Sequence, residues 1–188
     1  MSIIPREAVM SDKRTQTRKR ILSEAGRALF ARGPLEPSVS EVMAAAGLTV
    51  GGFYTHFDSK EALMAEAFGE LLRERRQQMR QIDSALAPRD RRALAAAFYL
   101  SRRHRDSTDR GCPLPGSLGE VARNAEPYQL MLAEHLELLA ADLAGTPEDG
   151  DKALADIALM VGGLALARAL GAGELSDRIL RAARTAVI

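Results

Sequence analysis

Residues 38–63 read SVSEVMAAAGLTVGGFYTHFDSKEAL, and this stretch decides the fold. Ser38 with Glu41 three positions on is a capping box, in which each side chain satisfies a free backbone N–H of the other residue. A short helix follows through Val42, Met43 and Ala46, with Val42 and Met43 facing the core. Gly47 punctuates its end. Leu48 plugs the turn, and Thr49 caps a very short third helix from Val50 to about His56. Phe57-Asp58-Ser59 breaks the chain, and Asp58 or Ser59 caps a long helix opening at Lys60-Glu61. Two short helices joined by Gly47-Leu48-Thr49 have helix-turn-helix spacing. On the turn alone, a generic helical hairpin and a DNA-reading unit both remain open.

Upstream, Ile21, Ala25, Ala28 and Leu29 recur at helical spacing and predict a helix from about Asp12 to Arg32, stopped by Gly33-Pro34. Met1–Met10 reads as a frayed arm with too short an apolar run for a secretory signal. Downstream, helices are expected over residues 60–82, 88–104, 118–124, 127–144, 151–170 and 174–186, about nine in all. Pro88 takes a first helical position, and Gly171-Ala172-Gly173 breaks the last pair.

Composition agrees with an all-α chain. Among 188 residues there are 32 Ala and 25 Leu, against 7 Val, 7 Ile and 7 Thr. The former are strong helix formers and the latter favour strands. No uninterrupted apolar run approaches the ~18 residues of a membrane span. Cys112 is the single cysteine, which excludes an intramolecular disulfide framework and a Cys-based zinc site. His56, His104 and His135 have no ligand spacing, so no metal and no cofactor is expected. The formal charge is +1, yet residues 1–60 carry 9 Lys+Arg against 6 Asp+Glu, a net of +3. Lys13, Arg14, Arg18, Lys19 and Arg20 are either a solvated first turn or a phosphate-facing patch.

The run from Gly47 through Leu63 closely resembles the DNA-binding domain of the TetR family of bacterial transcriptional regulators. The resemblance extends back through Ser38-Val39-Ser40-Glu41-Val42 and into the first helix. Tyr99-Leu100-Ser101, His104-Arg105, Gly111-Cys112-Pro113-Leu114 and Glu120-Val121-Ala122-Arg123 resemble one branch of the family's regulatory domains. Pro115-Gly116-Ser117 stands where that branch has an alanine-rich helix start. The resemblance implies a three-helix helix-turn-helix DNA-binding domain (1–59) and a helical ligand-binding and dimerisation domain (60–188). It implies a cytoplasmic, homodimeric, sequence-specific DNA-binding regulator. Such a protein is most often a repressor, released from a palindromic operator on double-stranded DNA by a small-molecule effector of unknown identity.

Residue roles follow. The third helix is short enough to be presented end-on to a major groove about 12 Å wide. Gly51 and Gly52 keep side chains away from the DNA, at about 1 kcal/mol of helix propensity each. Thr49 and Val50 are the candidate base readers. Ser38 and Ser40 either cap or donate to DNA. Tyr54, His56 and Lys60 are implied phosphate contacts, and a hydroxyl, an imidazole and a cation at a helix N-terminus suit that task. Phe53 and Phe57 lock the unit.

The effector pocket is expected from Phe68, Phe98, Cys112, Leu118, Tyr128 and Leu132, with Leu71, Leu114 and Leu136 nearby. Each could equally be plain core. Cys112 is either a sensor thiol, activated by a helix start and Arg110, or a small buried side chain. Arg102, Arg103, His104 and Arg105 either attract an anion or form a solvated helix end. Ile157, Val161, Gly162, Leu164, Ala165 and Ile179 are expected at a two-fold homodimer interface through the last two helices.

The rival functions are a helical-bundle enzyme and a protein-binding adaptor. There is no Glu-x-x-His pair, no nucleophile elbow and no phosphate-binding glycine loop, so no enzyme is expected. An adaptor leaves Gly51-Gly52 beside Tyr54, His56 and Lys60 unexplained.

Overall fold

The structure is a computed structural model. It describes residues 6–33, 37–82, 85–107, 111–123 and 126–187. Pro34, Arg110 and Asn124 lie outside the described residues, as does the start of the N-terminal arm. Among the described residues there are helices and no strand.

The elements are α1 (Arg6–Arg32), α2 (Val39–Ala45), a 3₁₀ helix (Val50–Thr55), α3 (Lys60–Arg80), α4 (Pro88–Tyr99), α5 (Arg102–Asp106), α6 (Leu114–Arg123), α7 (Tyr128–Leu143), α8 (Gly150–Leu170) and α9 (Glu174–Ala186), with a second 3₁₀ turn at Pro147–Asp149. The expected frayed arm is corrected over its second half, because α1 already begins at Arg6. The expected helix over 88–104 is two helices. Leu100 ends α4 with its N–H on Ala96 O, and the Ser101 hydroxyl accepts from His104 N to start α5. The expected helix at Leu118 begins at Leu114 instead. Pro115 sits in its first turn, where no amide is needed, and the Ser117 hydroxyl donates to Pro113 O at 2.9 Å.

α1 packs along α3 through Ile21, Leu22, Ala25 and Leu29, all buried. α8 lies at the centre of the C-terminal half, against α4, α6, α7 and α9. Pro147–Leu170 is long and apolar enough to cross a membrane by length and composition. Its packing marks it as a core helix. Buried Asp156 on α8 pairs with Arg92 of α4 at 3.4 Å and with Lys152 at 3.1 Å, which a lipid-facing helix would not support.

α5 also departs from expectation. Arg105 is buried, donating to Ser176 Oγ at 3.0 Å and Asp177 Oδ1 at 2.9 Å on α9, and Arg102 reaches Asp177 Oδ2 at 2.6 Å. Arg102 and Arg105 therefore clamp α5 to α9, while Arg103 is exposed as a solvated helix end would be.

Candidate nucleic-acid interface and effector cavity

The helix-turn-helix unit forms as its sequence dictates. The Ser38 hydroxyl accepts from Glu41 N and donates to Glu41 Oε2, and Ser38 N donates to the same carboxylate at 2.8 Å. These bonds, with Arg32, hold the Glu41 pKa down to about 2. Ser38 is thus occupied as a cap, while Ser40 is exposed, 3.0 Å from Ser38 Oγ. Gly47 adopts φ +66, the left-handed turn that a side chain resists. Leu48 N then closes on Met43 O at 2.8 Å. Phe53 and Phe57 are buried and stacked at 5.9 Å, as expected.

The 3₁₀ helix presents its outer side to solvent. Val50 is 46% and Tyr54 73% exposed. Thr49 stands at the N-cap position but its side chain makes no capping bond, so its hydroxyl is not committed to the fold there. A Cβ added at Gly51 would meet nothing within 4 Å, and one at Gly52 only Met43 Cε at 3.9 Å. The fold itself therefore requires neither glycine.

Tyr54, Thr55 and His56 share a shallow groove with Lys13, Arg14 and Thr17 of α1. Arg14 is anchored there, donating to Thr55 O at 2.8 Å. Burial, then Arg14 and Arg18, lowers the His56 pKa, which keeps the imidazole neutral and able to donate one N–H. Lys60 opens α3 outside this groove wall. The basic patch divides: Lys13 and Arg14 line the groove, whereas Arg18 is spent on Glu66 and lies over the Phe57 ring at 4.5 Å. Thr17 and Thr55 were not singled out from sequence. The i, i+4 spacing of Lys13 and Thr17 on one helix face was the signal.

A cavity of about 650 Å³ lies among α3, α4, α7 and α8. Phe98, Cys112 and Leu114 line it as expected. The other expected pocket residues lie elsewhere. Phe68 is fully buried, edge-on to Tyr128 at 5.5 Å, in the α3–α7 core. Leu132 and Leu136 pack against the core outside the lining, Leu118 points outward, and Leu71 faces a second, polar cavity beside α1. The pocket face of α3 is further along, at Arg75, Gln78 and Met79, with Ile82 just past the helix end.

Ile157 and Val161, expected at the dimer, are buried and line this cavity instead, and Leu164 is fully buried in the subunit. On the exposed side of α8 lie Ala158, Gly162 and Leu166, with Ala165 half-buried, and on α9 Leu175 and Ala182, with Ile179 half-buried. The exposed side of α8 is thus offset by about one residue, roughly 100° on a helix of 3.6 residues per turn, from the stripe expected at the interface.

Cys112 is buried among Tyr99, His104 and Arg168. His104 Nδ1 donates to Tyr99 O at 2.8 Å, and its Nε2 accepts from Cys112 N at 3.1 Å, which fixes one neutral tautomer. Burial holds the His104 pKa down to about 4. Arg168 donates to His104 O at 2.9 Å and stacks over Phe30 of α1 at 5.3 Å. A Cβ at Gly111 would lie 2.9 Å from Arg168 Nη2 and 3.0 Å from His104 Nε2, so this glycine makes room for the network. Burial pushes the Cys112 thiol up, away from an activated thiolate.

These features define a class: an all-helical protein with an N-terminal helix-turn-helix and a cavity-bearing helical body. The family described as "Bacterial regulatory proteins, tetR family" matches residues 21–67. An uncharacterized HTH-type transcriptional regulator, YdgC, of Bacillus subtilis (strain 168) is 42% identical over 57 residues, a match covering 30% of this chain and 29% of that protein. The chain therefore matches under a third of that relative's length. Over the whole fold, the chain superposes on the reduced form of E. coli NemR with TM-score 0.77, 21% identity, and coverage of 92% of this chain and 95% of the other. A TetR transcriptional regulator from Chloroflexus aurantiacus J-10-fl gives TM-score 0.74 at 23% identity, covering 94% of each. The likeness to the TetR family thus lies in sequence over residues 21–67, and over the rest of the chain it is a likeness of fold.

Proposed function

We propose that this protein is a sequence-specific DNA-binding transcriptional regulator. It acts in the cytoplasm as a homodimer on a palindromic operator, and is released by a small molecule held in the 650 Å³ cavity. The observation that carries the DNA-binding reading is the pair Gly51-Gly52. Both lie in a helical turn where no other part of the chain crowds them, beside exposed Val50 and Tyr54 and a groove lined by Lys13 and Arg14. Glycine in a helix costs about 0.5–1 kcal/mol relative to alanine. Close approach of a DNA backbone accounts for that cost. Thr49 and Val50 read base edges, and Tyr54 and His56, with Lys13 and Arg14, hold phosphates.

Dimerisation through the exposed faces of α8 and α9 sets two such units a helical turn or more apart. The residues from Lys60 onward form the regulatory and dimerisation part, and residues up to 59 the reading part. Repression is the mode this arrangement supports best, because ligand and DNA compete for the setting of α3, which runs from the reading unit to the cavity. The test is selection of bound fragments from genomic DNA by the purified protein, followed by titration at several salt concentrations. A palindromic site bound with a steep loss of affinity on adding salt supports the reading. Binding that ignores both sequence and salt ends it.

A further inference from the structure

The cavity wall carries its own chemical specification. Among the described residues it holds one formal cation, Arg75, and no carboxylate. Arg75 Nη1 donates to Gln78 Oε1 at 2.7 Å on its own helix, and among the described residues no Asp or Glu pairs with it. Two more polar atoms on residues of the wall lack a hydrogen-bond partner: Tyr99 Oη and His135 Nδ1, on residues only 8% and 3% exposed. The Cys112 thiol beside Tyr99 is at best a weak partner. Arg168 adds positive potential at Tyr99, and Arg76 does so at His135. The rest of the wall is mostly apolar, including Ile82, Phe98, Leu139 and Met160.

We propose that the effector is an organic acid: an apolar body with one carboxylate that pairs with Arg75, its polar atoms also engaging Tyr99 Oη and His135 Nδ1. The inference rests on reading this cavity as the effector site. A cationic guest would sit beside Arg75 with no counter-charge. A purely apolar guest would displace water from Arg75 and leave it, like the buried Tyr99 Oη and His135 Nδ1, with nothing in return. A carboxylate satisfies a guanidinium by charge-assisted hydrogen bonds, about twice as strong as neutral ones, and accepts from a phenol and a neutral imidazole as well. Arg75 stands on α3, so pairing there acts on the helix that begins immediately after the DNA-reading turn.

The experiment is calorimetric titration of the full chain without DNA. The probes are decanoate, naphthalene-2-carboxylate and biphenyl-4-carboxylate, each beside the primary amide and the amine of the same skeleton. The expected result is a carboxylate binding about tenfold or more tighter than its amide and amine, the worth of one charge-assisted contact. Arg75→Gln removes that preference and leaves amide affinity within about twofold, while Arg75→Lys restores part of it. Equal or better binding of the amines, no binding by any carboxylate, or a preference that survives Arg75→Gln overturns the proposal. The wild-type ranking decides the charge class even if a variant fails to fold. Titrating the same carboxylate against the protein–operator complex separates the two readings. Arg75-dependent binding that leaves DNA affinity unchanged keeps the acid specificity and ends the effector reading.

Discussion

Gly51 adopts no left-handed φ and has no neighbour to clash with, so alanine fits the free protein there. Gly51→Ala is expected to hold or raise the unfolding free energy, by up to about 1 kcal/mol. Operator affinity falls about tenfold or more, because the added methyl meets the DNA backbone. Paired denaturation and fluorescence-anisotropy titrations check this, and a Gly51→Ala protein that binds DNA normally would remove the main support for the reading. Around it, Tyr54→Phe is expected to weaken operator and random duplex alike, whereas Val50→Ala shifts base preference by about 1–3 kcal/mol. The short helix that carries these residues was legible in sequence, because the capping box at Ser38 and the turn at Gly47 are set by local chemistry. Cys112 was less legible. Its neighbours in sequence left a sensor thiol open, and only the fold shows it enclosed by Tyr99, His104 and Arg168, with burial raising its pKa. The expected outcome is slow maleimide labelling of the native protein at neutral pH and fast labelling once it is unfolded. Labelling as fast in the native protein would establish an exposed thiol, and faster labelling an activated thiolate.

Between α8 and α9 the adjacent glycines do different work. A Cβ at Gly163 would lie 2.9 Å from Ala183 Cβ and 3.2 Å from Leu100 Cδ2, so this glycine lets α9 and the end of α4 approach α8. A Cβ at Gly162 would meet nothing within 4 Å, and Gly162 lies on the exposed stripe with Ala158 and Leu166. Gly163→Val is therefore expected to destabilise the subunit by about 1–3 kcal/mol. Gly162→Leu leaves subunit packing intact and weakens the dimer, since bulk there prevents close contact with a second copy. Urea melts at fixed protein concentration separate the first effect, and sedimentation over a dilution series the second. A Gly162→Leu protein as dimeric as the wild type places the interface elsewhere. The pattern of α8 explains why periodicity alone could not show that Ile157, Val161 and Leu164 are buried within the subunit. A central helix is apolar nearly all round, so periodicity cannot tell the side facing a cavity from the side facing a partner. Helix ends show the same division. The start of Glu174–Ala186 was readable from the glycines before it, whereas the break at Leu100–Ser101 depends on His104 and Arg105 finding tertiary partners.

Across the whole molecule, two buried histidines tie stability to pH. His104 and His135 each have a pKa held down to about 4, chiefly by burial, with Arg168 and Arg75 bearing on the first and Arg76 on the second. In the unfolded chain both titrate near the ordinary value of about 6.5. Between those limits the unfolded state binds more protons than the native one, so stability falls as pH drops through about 6.5 and continues to fall to about 4. From pH 8 to pH 5 the linkage amounts to roughly 2 kcal/mol per histidine, a large share of the ~5–15 kcal/mol of a typical domain. The Glu41 carboxylate does not contribute in this window. Its depressed pKa of about 2 preserves the capping box until the medium is far more acidic. The two histidines differ in what protonation breaks. At His104 it displaces the N–H of Cys112 from Nε2, at the junction of α5, α8 and the cavity, while His135 Nδ1 has no partner to lose. Urea midpoints at pH 8, 6.5 and 5, at one protein concentration, are expected to fall steadily. His135→Leu removes about half of the slope. It costs little at pH 5, because it deletes an unpaired polar atom along with the proton site. A midpoint that stays level from pH 8 to pH 5 means that both imidazoles titrate in the folded protein as they do in water.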